Sequence, residues 1–155
     1  MSAVGSSDAI TIHPGADATT IVVSGSIDER SQLLLPDAFT VGKRVVIDTT
    51  AVTRINSLGV ASWIRYMGKL SGFGVPVSIA PLSVAFVTQA SMISNFLGKA
   101  SVETFLAPYF CAKCDQAIEQ LFAIDAQVPE EMACPKCTAP MEFDDELESY
   151  LQFRK

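Results

Sequence analysis

Four cysteines in two pairs constrain this chain more than any other feature. Cys111-Ala112-Lys113-Cys114 and Cys134-Pro135-Lys136-Cys137 are CxxC pairs with residues 115–133 between them. A two-residue gap lets both sulfurs of a pair turn toward one point from a tight turn, and two such turns complete a tetrahedron of thiolates. A thioredoxin-type redox site would need only one pair, and four structural thiols seldom fall twice at this spacing by chance. The start, Met1 to Asp8, has neither the basic segment nor the apolar run of a secretory leader. A cytoplasmic location is therefore expected, where disulfides are disfavoured. Zinc is the expected ion and iron its competitor, since four thiolates suit both. A closed set of four sulfurs leaves no position for water or substrate, so the expected role is structural.

Charge divides the chain at the same place as the cysteines. Residues 1–107 carry seven basic and seven acidic side chains, while residues 108–155 carry four basic and ten acidic ones. The net charge of −6 thus sits in the cysteine-bearing tail. Two modules are expected, 1–107 and 108–155. The second is too short to bury much core, so its ion would supply much of its folding energy. This tail resembles a zinc ribbon, a module found in some nucleic-acid binders. Its acidity repels phosphate backbones, so protein contact is expected and nucleic acid is not. A hydrophobic fraction of 49% with 18% charged residues excludes a largely disordered chain.

Residues 70–98 lack charge and are long enough to cross a bilayer, but Gly72, Gly74, Pro76, Pro81, Gln89, Asn95 and five serines interrupt them. No membrane segment is expected there. Ile10 and Ile12, then Ile21-Val22-Val23, flank the turn Pro14–Asp17 and predict a hairpin. A short helix is expected from Asp28 through Leu34, with a second turn from Pro36. Val45-Val46-Ile47 predicts a strand covered on both faces and ended by Asp48. The spacing of Leu58, Ala61, Trp63, Ile64, Met67 and Leu70 predicts a helix over 57–70, stopped by Gly72 and Gly74. Val75–Ala80 is the next predicted strand, 83–96 a helix, and 102–106 a short strand. The expected class is α/β, with crossovers long enough for parallel pairing. In the tail, 118–124 predicts a strand, and a helix is expected from Asp144, with Asp144, Asp145 and Glu146 in its first turn.

The stretch from Val45 to Gly59 reads as strand, loop, helix start, with Ser57 where the helix begins. Backbone N–H groups there have no internal partner, so a hydroxyl can cap them and a phosphate on it would gain from them and from the helix dipole. The plainer reading of Ser57 is a helix cap, shared with Asn56. Residues 8–107 resemble the STAS family, named for sulfate transporters and anti-sigma factor antagonists. Gly25-Ser26-Ile27-Asp28, Val46-Ile47-Asp48-Thr49-Thr50, Ile55-Asn56-Ser57-Leu58-Gly59 and Pro81-Leu82-Ser83 follow its pattern. The resemblance implies a mixed sheet of four or five strands with helices on one face. It implies phosphorylation of the serine at Ser57 by an anti-sigma kinase, with the unphosphorylated form binding that kinase. Asp28, Asp48, Asn56, Ser57 and Leu58 would form the partner-binding rim. Asn56 stands where the family usually has an acid, and Leu58 where it has a second small residue.

His13, the single histidine, precedes Pro14 and has no triad partners, so a loop role is expected. Trp63 reads as core rather than contact surface, and the acids at 144–148 as a solvated helix face. No glycine-rich phosphate loop, paired acids or Ser/His/Asp set points to an enzyme. The expected function is a protein-binding regulator like an anti-sigma factor antagonist. The alternatives are an unphosphorylated scaffold with the ribbon as docking site, or an electron carrier with iron at the sulfurs.

Overall fold

The computed structural model describes residues 5–6, 8–37 and 41–155. The first sheet has six strands in chain order: β1 (Gly5–Ser6), β2 (Ile10–His13), β3 (Ala18–Ile27), β4 (Arg44–Ile55), β5 (Val77–Ile79) and β6 (Ser101–Val102). β1, β2 and β3 pair antiparallel, and β3 to β6 pair parallel. The parallel steps from β4 to β6 run through α1 (Ser57–Ser71) and α2 (Val84–Met92). Register places Ile12, Ile21, Ile47 and Ile79 in one row across four strands, all buried. Trp63, Tyr66, Met67 and Leu70 of α1 and Phe86 and Val87 of α2 bury into the same core. Trp63 is fully buried against Tyr66, Phe86 and Phe96. Thr11, Thr20, Val46 and Ser78, between the buried positions, are only half-buried. This alternation is that of a sheet covered by helices on one face.

Three expectations fail here. Val46 is half-buried between the buried Val45 and Ile47, so that strand is not covered on both faces. Asp48 does not end it: β4 runs through the β-branched Thr49, Thr50, Val52, Thr53 and Ile55 because β3 is long enough to pair along its length, with register shifts at Val22/Ser24 and Gly25/Ser26. No helix forms over Asp28–Leu34. The Asp28 carboxylate accepts the Arg30 N–H at 2.9 Å and the Asp28 N–H donates to Ser31 Oγ at 3.0 Å, closing a turn instead. Residues 31–37 continue without regular structure, and the turn expected from Pro36 runs into 38–40, outside the described residues. His13 ends β2, half-buried and paired with Thr20.

The second sheet is antiparallel, in the order β8-β7-β10-β9, from β7 (Thr104–Cys111), β8 (Gln116–Ala123), β9 (Glu131–Ala133) and β10 (Pro140–Phe143). β7 spans positions 107 and 108, and its start is tied to the segment between β5 and α2, with Leu106 N–H donating to Leu82 O at 2.9 Å. The chain closes with α3 (Leu147–Tyr150) and a 3-10 turn over Leu151–Arg154. Asp144 and Asp145 precede α3 and Glu146 is its N-cap, so the expected acidic first turn reduces to Glu148. This segment docks on α2. Ser91 Oγ donates to Tyr150 O at 2.7 Å and accepts the Phe153 N–H at 3.1 Å. Arg154 donates to Ile124 O and Ala126 O, and its guanidinium lies over Phe105. Among the described residues, no helix is long and apolar enough to cross a membrane.

Candidate functional site

Ser57 is the first residue of α1 and is exposed. Asn56, in extended conformation, is the cap: its Oδ1 accepts the Gly59 N–H at 2.8 Å. A short amide can satisfy a first-turn N–H that the helix cannot. The capping duty therefore falls on Asn56, and the Ser57 hydroxyl bonds to none of the described residues. Leu58 beside it is 58% exposed, the opposite of its expected core-facing position.

The end of β3 holds this corner in place. Ile27 pairs with Ile55, and Ile27 O accepts the Asn56 N–H at 3.1 Å. Gly59 is buried against the same carbonyl, and a Cβ there would lie 2.2 Å from Ile27 O, so only glycine fits. The turn after β3 then lies beside the start of α1. Asn56 Nδ2 donates to Glu29 Oε2 at 3.0 Å. Asp28 pairs with Arg30 at 3.2 Å. The backbone and side-chain hydrogen bonds from Arg30 hold the Asp28 carboxyl below its ordinary range. The hydrogen bond from Asn56 does the same for Glu29.

Of the five rim residues expected from sequence, the fold gathers Asp28, Asn56, Ser57 and Leu58 and leaves out Asp48. Asp48 sits within β4 opposite Val22. At about 3.3 Å per strand residue it is some 20 Å from the strand's end. Its carboxylate accepts the Thr50 N–H and hydroxyl at 2.9 and 2.7 Å. Sequence reading missed Glu29 and Arg30. The signal was the Asp-x-Arg spacing, which suits a side chain folding back on its own turn.

The two CxxC pairs occupy the turns of two hairpins. Cys111 ends β7 and Cys114 precedes β8; Cys134 follows β9 and Cys137 precedes β10. Pairing of β7 with β10, Phe110 opposite Glu142, brings the turns together. All four Sγ atoms lie within 4.8 Å of one another. Cys111 and Cys137 are 3.5 Å apart, and Cys114 and Cys134 3.9 Å. A metal held at about 2.3 Å by four sulfurs needs S–S edges of about 3.8 Å, so the set fits a tetrahedral ion. Each turn aims a backbone N–H at its first sulfur: Cys114 N–H to Cys111 Sγ and Lys136 N–H to Cys134 Sγ, both at 3.4 Å. The residue after each pair, Asp115 and Thr138, has φ of 54° and 65°. That left-handed step is costly for a side chain bearing Cβ, above all for β-branched threonine.

In the metal-free chain the hydrogen bond to Cys137, then burial, pushes the Cys114 thiol up to about 12. Burial also works against the Cys134 thiolate, but the N–H groups of Lys136 and Cys137 outweigh it and bring that thiol down to about 7. Arranged this way, the four sulfurs can hold one metal ion and leave it no open ligand position.

No family model matches the chain, and no curated protein or solved structure matches it.

Proposed function

We propose that this chain is a non-enzymatic, protein-binding regulator resembling an anti-sigma factor antagonist of the STAS family, working through the rim of Asp28, Glu29, Asn56, Ser57 and Leu58. The observation that carries the reading is the division of labour at the start of α1. Asn56 caps the helix while the adjacent Ser57 hydroxyl stays exposed and bonds to none of the described residues. A phosphate on Ser57 would meet the dipole of a fifteen-residue helix and, across the rim, the Asp28 and Glu29 carboxylates. One modification would then deepen the negative charge of the rim that a partner meets. Leu58, exposed beside it, gives the unmodified rim an apolar contact point. The partner is a protein, an anti-sigma factor or another kinase.

In this reading Cys111, Cys114, Cys134 and Cys137 hold a structural zinc in a zinc-ribbon module, and iron is the less favoured ion. The ion would close the two hairpin turns and supply no reaction chemistry. Mass spectrometry of the zinc-loaded chain incubated with extract of its native cells tests the switch. Addition of one phosphate that disappears in Ser57→Ala is the expected result, and no phosphate at Ser57 counts against it. Asn56 favours a second reading. Its amide is engaged by Gly59 and Glu29, so the rim is organised without an acid at that position. A scaffold that binds its partner without phosphorylation would need no more than this.

A further inference from the structure

The two sheets have four edges, and three are short. Among the described residues β1 and β6 have two residues each and β9 has three, whereas β8 has eight and pairs only with β7. Short edge strands are a common protection against unwanted pairing, and β8 lacks it. Its hydrogen-bonding parity follows from the ladder. Ile124 N–H donates to Glu103 O at 2.9 Å, so Gln116, Ile118, Gln120 and Phe122 turn their backbone groups toward β7. Ala117, Glu119, Leu121 and Ala123 turn theirs to the open edge. Only the Ala123 oxygen already has a backbone partner among the described residues, the Ala126 N–H.

We propose that β8 is a dimerisation edge, pairing antiparallel with β8 of a second copy of this chain about a two-fold axis at Gln120. A two-fold axis perpendicular to a sheet between antiparallel strands must pass midway between a residue and its own copy. Centring on Glu119 sets two carboxylates directly opposite, which is destabilising. Centring on Phe122 pairs only Leu121 and Ala123 of the outward-turned residues with one another. Centring on Leu121 opposes no like charges but pairs fewer of the outward-turned residues with one another. The Gln120 register alone joins them all, Ala117 with Ala123 and Glu119 with Leu121, each pair twice. It sets the two Gln120 amides face to face and Ile118 beside Phe122 of the second copy. Ile118 and Phe122 are half-buried in one chain, and Leu121 is 53% exposed, so the pairing also covers apolar surface. The result is one continuous eight-stranded sheet with a four-sulfur site on each side of the axis.

Sedimentation equilibrium of the zinc-loaded chain at micromolar concentrations tests this. The expected mass is twice 16.6 kDa. Gln120→Lys puts two ammonium groups on the axis and is expected to give monomers with unchanged circular dichroism and metal content. Glu119→Lys, which faces Leu121, is expected to remain dimeric. In amide exchange by NMR, the N–H groups of Ala117, Glu119, Leu121 and Ala123 are expected to be protected in the wild type and to exchange fast in Gln120→Lys. A monomeric wild type, a Gln120→Lys chain that stays dimeric, or a dimer in which those four amides exchange fast would overturn the proposal.

Discussion

At the start of α1 two neighbouring polar residues do different work. Asn56 satisfies the Gly59 N–H, and the Ser57 hydroxyl bonds to none of the described residues. Asn56→Ala is therefore expected to cost about 1 kcal/mol, the usual worth of an N-cap, while Ser57→Ala stays within about 0.5 kcal/mol. Thermal unfolding of both variants checks this, and equal losses would show that Ser57 shares the cap. Gly59→Ala is expected to lose about 2–3 kcal/mol or more, because its Cβ would collide with the Ile27 carbonyl and pry the helix start off the end of β3. The same corner responds to acid. Asp28 has a carboxyl held below its ordinary value of 3.8 by Arg30, so its contribution to the turn is complete above that value and is lost as pH falls through the lowered one. An NMR titration following the Arg30 amide is expected to show that transition below pH 3.8.

At the scale of elements, each hairpin turn of the second sheet carries a cysteine pair, and β7–β10 pairing holds the turns together. The ion is expected to bind at one per chain, measured by elemental analysis. Chelation or Cys134→Ser is expected to lower the melting temperature and to remove exchange protection from β9 and β10 first. Acid protonates the thiolates and releases the ion, so this part of the stability falls as pH falls. A colourless loaded protein is expected for zinc, and a coloured, redox-active one would indicate iron.

The elements also show what could be read in advance. The helix over 57–71 was visible because its apolar positions recur at 3.6 residues, and the CxxC turns because metal geometry dictates their spacing. The second half of β4 was hidden. Its Thr50, Ala51, Thr53 and Arg54 break the apolar run, and only the length of β3 opposite decides that they pair. The false helix at 28–34 arose from Leu33 and Leu34. These residues belong to a segment without regular structure that α1 grips through the Tyr66 hydroxyl, which donates to Leu34 O at 2.8 Å. Contacts made so far away in sequence leave no local trace. Asp48 was assigned to the rim by the family resemblance, and the extension of β4 leaves it within the strand opposite Val22.

Over the whole molecule, α2 is the element both sheets share. Its start is pinned by buried Thr49, whose Oγ1 accepts the Ser83 N–H at 2.7 Å and donates to Pro81 O at 3.0 Å. Its end is pinned by Ser91 to the C-terminal turn. Ser91→Ala leaves the Phe153 N–H without its acceptor and is expected to cost about 1–3 kcal/mol. Trp63 is the chain's one tryptophan and lies in the first core, so its fluorescence reports on that sheet alone. Because α2 links the two, fluorescence and far-ultraviolet circular dichroism are expected to give coincident transitions in the loaded protein.

The measurement that tests the functional account most directly is a quantitative pull-down from extract of the native cells, with wild type, Ser57→Asp and Leu58→Asp as zinc-loaded baits. A protein partner held by the wild type and released by both substitutions, with all three baits equally folded, is the expected result. The same partners at the same yield on all three baits would contradict a contact rim centred on Ser57.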